Sequence, residues 1–225
     1  MIHYHGTPIT DLAALYTLEV EHFCVSYANR DQVRHVEKIA QSIMFDNGAW
    51  SHFTKGKAPD WPGYYRWVEP RLRHPHWAVI PDVIDGGVDA QRKLEREWPL
   101  GDLGAPVWHM DEPFSRLLEL ADSWPRICFG SAGAYFQLGT AQWEARLDRA
   151  FAELGKRGLK PWVHMLRAME FASKGRWPFG STDSANVAVN HHTRKECAGC
   201  MAKRLNRVNP VPRVVGQVDF LEGAQ

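Results

Sequence analysis

The sequence is short of long hydrophobic runs, of cysteine, of net charge and of glycine-rich phosphate loops. No window approaches the roughly 20 apolar residues that a membrane-spanning helix needs, so no membrane partner is expected. The opening "MIHYHGTPIT" lacks the apolar centre of a secretory signal, which points to a cytoplasmic protein. Cysteine stands only at Cys24, Cys128, Cys197 and Cys200. That set does not resemble a disulfide framework, and reduced thiols are expected. Lys and Arg total 27 against 26 Asp and Glu, a formal net charge of +1. No global field then announces nucleic acid, and any basic surface must be local. The corner "GTPITD" after the first apolar run matches neither a dinucleotide nor a phosphate loop, which argues against dehydrogenase and kinase chemistry. Low-complexity segments, linkers and internal repeats are also missing, so the 225 residues read as a single domain, 1–225.

What recurs is a pattern. A short apolar run leads to a polar or glycine-containing corner, and a segment of helical periodicity follows. The runs are "MIHYHG", "HFCVSYA", "IMFDNGAW", "WAVIPDVID", "PVWHM", "RICFGSA", "PWVHMLRA" and "WPFGSTDS". Such runs suit strands buried on both faces of a parallel sheet. Between them, Phe114, Leu117, Leu118, Ala121 and Trp124 share one helical face. Trp143, Leu147, Ala150, Phe151 and Leu154 do the same, with Thr140 as N-cap. "DQVRHVEKIAQS" and "GVDAQRKLEREW" also read as helices, and "MEFASKGR" holds a turn or two. Eight strand-helix units predict an α/β fold, a compact (β/α)8 TIM-type barrel with its core over about 1–190. A helical, basic, Cys/His-containing extension follows over about 191–225.

In such a barrel the active site lies where strands end. The corners here carry His5, Ser26, Asp46, Asp82 with Asp85, His109, Ser131, His164 with Arg167, and Asp183. A ring with recurrent carboxylates suits chemistry at an anomeric carbon, one acid attacking and another handling the leaving group. Each residue also has a plainer reading. Asp183 in "STDSANVAVN" reads equally as a helix cap, Asp46 in "FDNGAW" as a turn acid and Asp82 in "PDVIDGG" as a loop acid. His109 and His164 read as satisfied core histidines, and Ser131 as a residue chosen for size.

Taken in order, "FDNGAW", "IPDVIDGG", "FGSAGAY", "WVHMLRA" and "PFGSTDSANVAVN" resemble the corners of the tRNA-guanine transglycosylase superfamily, from about Phe23 to Asn190. The resemblance is closest to the short DNA deazaguanine transglycosylases and base-removing glycosylases of phages and bacteria. It implies a covalent aspartyl-sugar intermediate. Asp183 would be the nucleophile, and Asp46 would bind the base and aid proton transfer. Asp82, His109, Ser131, Gly133 and His164 would line the substrate site, with Trp50 stacking on the base. The expected partners are DNA, single-stranded or with a base flipped from the duplex, and a free nucleobase. The chemistry itself needs no cofactor.

The tRNA-acting members are longer and carry a zinc subdomain. In its place stands "HHTRKECAGC", whose His191, His192, Cys197 and Cys200 suit a compact structural zinc site or, alternatively, a helix with two ordinary cysteines. Arg194, Lys195, Lys203, Arg204 and Arg207 make the same region a local positive strip, fit for a phosphate backbone or for solvent. Two rival functions follow from the residues. One is a metal-dependent barrel hydrolase built on His5, His109 and His164. The other is a non-catalytic nucleic-acid-binding module using the basic strip.

Overall fold

The computed structural model describes residues 1–193 and 196–207. Among them, nine parallel strand segments form one sheet nearly closed into a barrel. They are β1 (Ile2–Gly6), β2 (His22–Ser26), β3 (Ser42–Asp46), β4 (Trp77–Val79), β5 (Gly104–Ala105), β6 (Val107–His109), β7 (Arg126–Gly130), β8 (Trp162–Met165) and β9 (Ser181–Ser184). The order is β5-β4-β3-β2-β1-β9-β8-β7-β6. The two ends of that list, β5 and β6, are consecutive in the chain. Pro106 separates them, and with no N–H to donate it interrupts the ladder. Ala105 O accepts from Ile80 N at 3.0 Å on the β4 side, and Pro106 O accepts from Cys128 N at 2.8 Å on the β7 side. The stretch 104–109 is therefore one barrel strand that bonds one neighbour with each half. Eight barrel strands result, one in each of the eight apolar runs, as the sequence predicts.

The helices are α1 (Leu12–Tyr16), α2 (Val33–Ile39), α3 (Ala49–Thr54), α4 (Trp61–Val68), α5 (Gly87–Glu97), α6 (Phe114–Ser123), α7 (Ala141–Lys156), α8 (Met169–Ala172), α9 (Asn186–Asn190) and α10 (Ala198–Asn206). In α7, Trp143, Leu147, Ala150 and Leu154 are buried, and Thr140 Oγ1 accepts from Trp143 N at 3.2 Å. That is the face and the cap read from the sequence. Burial of each large apolar side chain contributes roughly 1.5–3 kcal/mol. The apolar core splits between two clusters packed on the outer face of the sheet and a smaller one inside the barrel. The inner cluster includes Tyr4, Cys24, Met44, Trp77, Val79 and Cys128. Its floor is polar and aromatic. Tyr4 Oη accepts from Trp77 Nε1 at 2.9 Å and from Ser42 Oγ at 3.3 Å, and the Arg126 guanidinium lies 4.8 Å from the centre of a Trp77 ring.

Strand parity decides which corner residues face inward. Tyr4 is inward on β1, so His3 and His5 point outward. The His3 and His5 rings lie 4.3 Å apart, and His3 Nε2 is 2.8 Å from Ser184 Oγ. His5 therefore leaves the predicted ring. The His5–His109–His164 metal set is not assembled, and no group of three or more metal-ligating side chains occurs among the described residues.

In the C-terminal extension, Ala198–Asn206 is helical as expected. The thiols depart from expectation. Cys197 and Cys200 are joined in a disulfide at the start of α10, while His191 is turned toward the Val187 and Ala188 carbonyls of α9. Among the described residues, His191 and His192 are not gathered with Cys197 and Cys200 into a group of three or more metal-ligating side chains. Cys24 and Cys128 are free and buried. Arg194 and Lys195 lie outside the described residues. Lys203, Arg204 and Arg207 belong to α10 and its end, on the outer side of the barrel, and Arg204 is paired with Glu196 at 2.9 Å. No helix is long and apolar enough to cross a membrane among the described residues.

Candidate active site

A cavity of about 830 Å³ opens at the C-terminal ends of the strands. That volume lies within the usual range for a small-molecule or single-base site. Its wall includes Ser26, Asp46, Asp82, Asp85, His109, Ser131, Gly133, Arg167 and Asp183. Seven of the eight predicted corners thus converge on one space, and the exception is His5.

Asp183 ends β9. Its Oδ1 accepts from Arg167 N at 2.8 Å and from His164 Nε2 at 3.3 Å. It caps no helix, which removes the plainer reading of this acid. Burial works to raise its pKa, but His164, the Arg167 N–H and His3 outweigh burial and hold the carboxyl below its usual range. Arg167 reaches it with φ of 60°, a left-handed conformation that costs a non-glycine residue roughly 1–2 kcal/mol. The strain is local to the site and aims an N–H at Asp183.

Asp46 ends β3 and is tuned the other way. Burial raises its pKa to about 6, with the charges of Asp183 and Asp82 adding to the shift and bonds from Ser26 and the Gly48 N–H opposing it. The Gly48 N–H bond, at 3.1 Å, makes Asp46 a turn acid as well as a wall residue. Both sequence readings of Asp46 hold at once.

Asp82 lies beyond β4 with both oxygens engaged. Asn47 Nδ2 donates to Oδ1 at 2.7 Å, and His109 Nε2 stands 2.9 Å from Oδ2. Burial tends to lower the His109 pKa, but Asp82, Glu112 and Asp111 overcome it and raise it. His164 shows the opposite balance, since burial lowers its pKa despite Asp183. The barrel mouth therefore holds two His–Asp pairs with opposite proton preferences.

The rim is aromatic. Trp50 stacks on Phe136 with centroids 5.5 Å apart, Phe53 lies 5.9 Å from Trp50, and the Arg167 guanidinium lies 4.5 Å from the centre of a Trp50 ring. Phe53 and Phe136 are about half exposed. Gly133 beside them has φ of 53°, and a Cβ there would come within 2.6 Å of Asp111 Oδ2. Ser131 instead braces the wall from behind, accepting from Trp143 Nε1 at 2.9 Å. His164 lies beneath Asp183, fully buried, and supports it without lining the cavity. The basic residues of α10 line no part of the cavity.

Sequence reasoning missed Asn47, Asp111, Phe53 and Phe136. Asn47 sits inside the quoted "FDNGAW", where its composition signals only a turn. Phe53 and Phe136 carry no local sign of exposure. Compared with protein-family models and with curated proteins, the chain matches none, and its chemistry is read from the geometry of the site.

Proposed function

We propose that this protein cleaves the N-glycosidic bond of a nucleotide in DNA, acting as a base-exchanging transglycosylase or a base-excising glycosylase. The observation that carries the reading is the pair of carboxylates, Asp183 and Asp46, facing one cavity with their proton affinities pushed apart. Glycosyl transfer needs such a pair, one acid ionised and one able to hold a proton.

In the proposed reaction, Asp183 attacks the anomeric carbon. A carbon–oxygen bond forms as the carbon–nitrogen bond breaks, and the bond's electron pair leaves with the base. Asp46 supplies the proton that the departing base takes up. The covalent aspartyl-sugar ester is then resolved by an incoming nucleobase in exchange, or by water in excision. Asp82, oriented by Asn47 and paired with His109, offers a fixed polar edge to the base. The Trp50–Phe136 rim, with Arg167 above it, suits stacking on a flipped or single-stranded base. These are the roles that the resemblance read from the sequence would imply.

The test is release or exchange of base from modified and unmodified DNA, read by mass spectrometry. Asp183→Asn should abolish it while leaving the circular dichroism spectrum and the melting temperature close to wild type. Full activity in that variant would exclude the mechanism. DNA binding by wild-type protein, unchanged by loss of Asp183 and Asp46 and with no product formed, would favour a binding module instead.

A further inference from the structure

We infer that Trp162, Ser181 and His164 form a relay that fixes the tautomer of His164 and so positions Asp183, tethering Oδ1 and leaving Oδ2 to react. The inference rests on the nucleophilic role proposed for Asp183, and it adds three positioning residues that make no contact with the substrate cavity.

The relay runs up the inside of the barrel across β8 and β9. Trp162 Nε1 donates to Ser181 Oγ at 3.0 Å. An indole N–H is a donor only, so this bond has one direction. Ser181 Oγ lies 2.8 Å from His164 Nδ1, and His164 Nε2 lies 3.3 Å from Asp183 Oδ1. A carboxylate accepts only, so the nitrogen facing it must carry the proton. A neutral imidazole then has a bare Nδ1 that needs a donor. Ser181, already accepting from Trp162, has its own hydroxyl proton to give. Each choice is set by its neighbour, and the Nε2–H tautomer is the one that satisfies every group. The second tether on Oδ1 is the Arg167 N–H at 2.8 Å. Both bonds fall on the same oxygen, and among the described residues Oδ2 takes part in none.

The packing supports this arrangement. Residue 180 is a glycine, and a Cβ there would come within 2.3 Å of the Trp162 ring. Only glycine lets the indole lie across the β9 backbone and reach Ser181. Ser181 and His164 are fully buried, so water does not compete for these bonds. The charged and titratable groups around the pair are His3 and Tyr4 from β1, Cys24 from β2, Asp46 from β3, Arg126 and Cys128 from β7, and His164 itself from β8 with Arg167 just after it. Among these, His164 is the one that hydrogen-bonds the Asp183 carboxylate through a side chain.

The test combines nuclear magnetic resonance with kinetics. Long-range nitrogen–proton correlation on nitrogen-15-labelled wild type should show His164 as the Nε2–H tautomer at about pH 7. Trp162→Phe keeps a ring and removes the indole donor, and Ser181→Ala removes the hydroxyl. In both, the Asp183 carboxyl midpoint, read by carbon-13 titration, should rise by about one unit. Turnover should fall roughly tenfold with KM little changed, and the acidic limb of the pH profile should move up in step. An Nδ1–H tautomer in wild type would overturn the relay, as would an unmoved Asp183 midpoint in folded Trp162→Phe. If Ser181→Ala does not fold, those two measurements decide alone. No base release by wild type, with the tautomer as expected, would overturn the nucleophilic reading and leave the relay's geometry standing.

Discussion

Asp46 and Asp183 are the same kind of side chain at matching strand ends, and their neighbours make them opposites. Asp183 has two donors on one oxygen. Asp46 faces two other carboxylates across a poorly solvated mouth. A carboxyl whose folded pKa is raised contributes stability in full below its unfolded value, and loses that contribution as pH rises through the folded value. For Asp46 the window runs from the ordinary 3.8 up to about 6. Asp46→Asn should therefore stabilise the fold by about 1–3 kcal/mol above the window and much less near its lower end. Urea melts at the two pH values measure this. If Asp46 supplies the leaving-group proton, base release should also decline as pH rises past about 6. That limb should vanish from the Asp46→Asn profile. The sequence marks both acids as corner residues. Their tuning is invisible in it, because the groups responsible come from other strands.

At the scale of elements, the sequence is most legible where one helix buries one face. α7 shows this best, with its apolar spacing and its Thr140 cap. Thr140→Ala should cost about 1 kcal/mol and lower the melting temperature by about 2–4 °C, read by calorimetry. The β3–β4 connection is less legible. It holds α3 and α4, between which "KGKAPD" interrupts any apolar periodicity, yet Tyr64 of α4 is buried and donates to Val79 O at 2.8 Å. The split of one strand into β5 and β6 is decided by Pro106, whose effect depends on which neighbour its missing N–H would have faced. The turn after β7 depends on Gly133. Gly133→Ala would force an unfavourable φ and a clash with Asp111. Base release should fall severalfold or more, and the fold should lose about 1 kcal/mol or more, read by urea melts, because the strained φ costs the same on an exposed rim.

At the scale of the whole molecule, a late helix returns to the first elements of the chain. α10 packs on α1 and β1, and Gly199 N donates to Thr17 Oγ1 at 2.9 Å. A Cβ at Gly199 would come within 2.3 Å of the Thr17 carbonyl oxygen, a backbone atom that cannot step aside. Gly199→Ala should loosen α10 from the barrel. Limited proteolysis should then cut between residues 190 and 207 faster than in wild type, while base release, whose residues lie at the far mouth, changes little. Cleavage at the wild-type rate would show that α10 stays seated.

The sequence by itself determined the eight apolar runs, their parallel α/β arrangement and the corners where chemistry collects. Those features are local, set by strand and helix periodicity and by the residues that end each element. Tertiary structure decided the rest. One step of strand parity sends His5 outward and Tyr4 inward, and a histidine at a strand end reads the same in either case. Contact between β8 and β9 places His164 under Asp183, and burial in the closed mouth, with the charges of Asp183 and Asp82 added, raises the pKa of Asp46. Proximity likewise pairs Cys197 with Cys200, where sequence composition suggested free thiols or metal ligands. Electrostatic coupling and side-chain direction depend on distances between segments far apart in the chain, and those distances exist only once the barrel has closed.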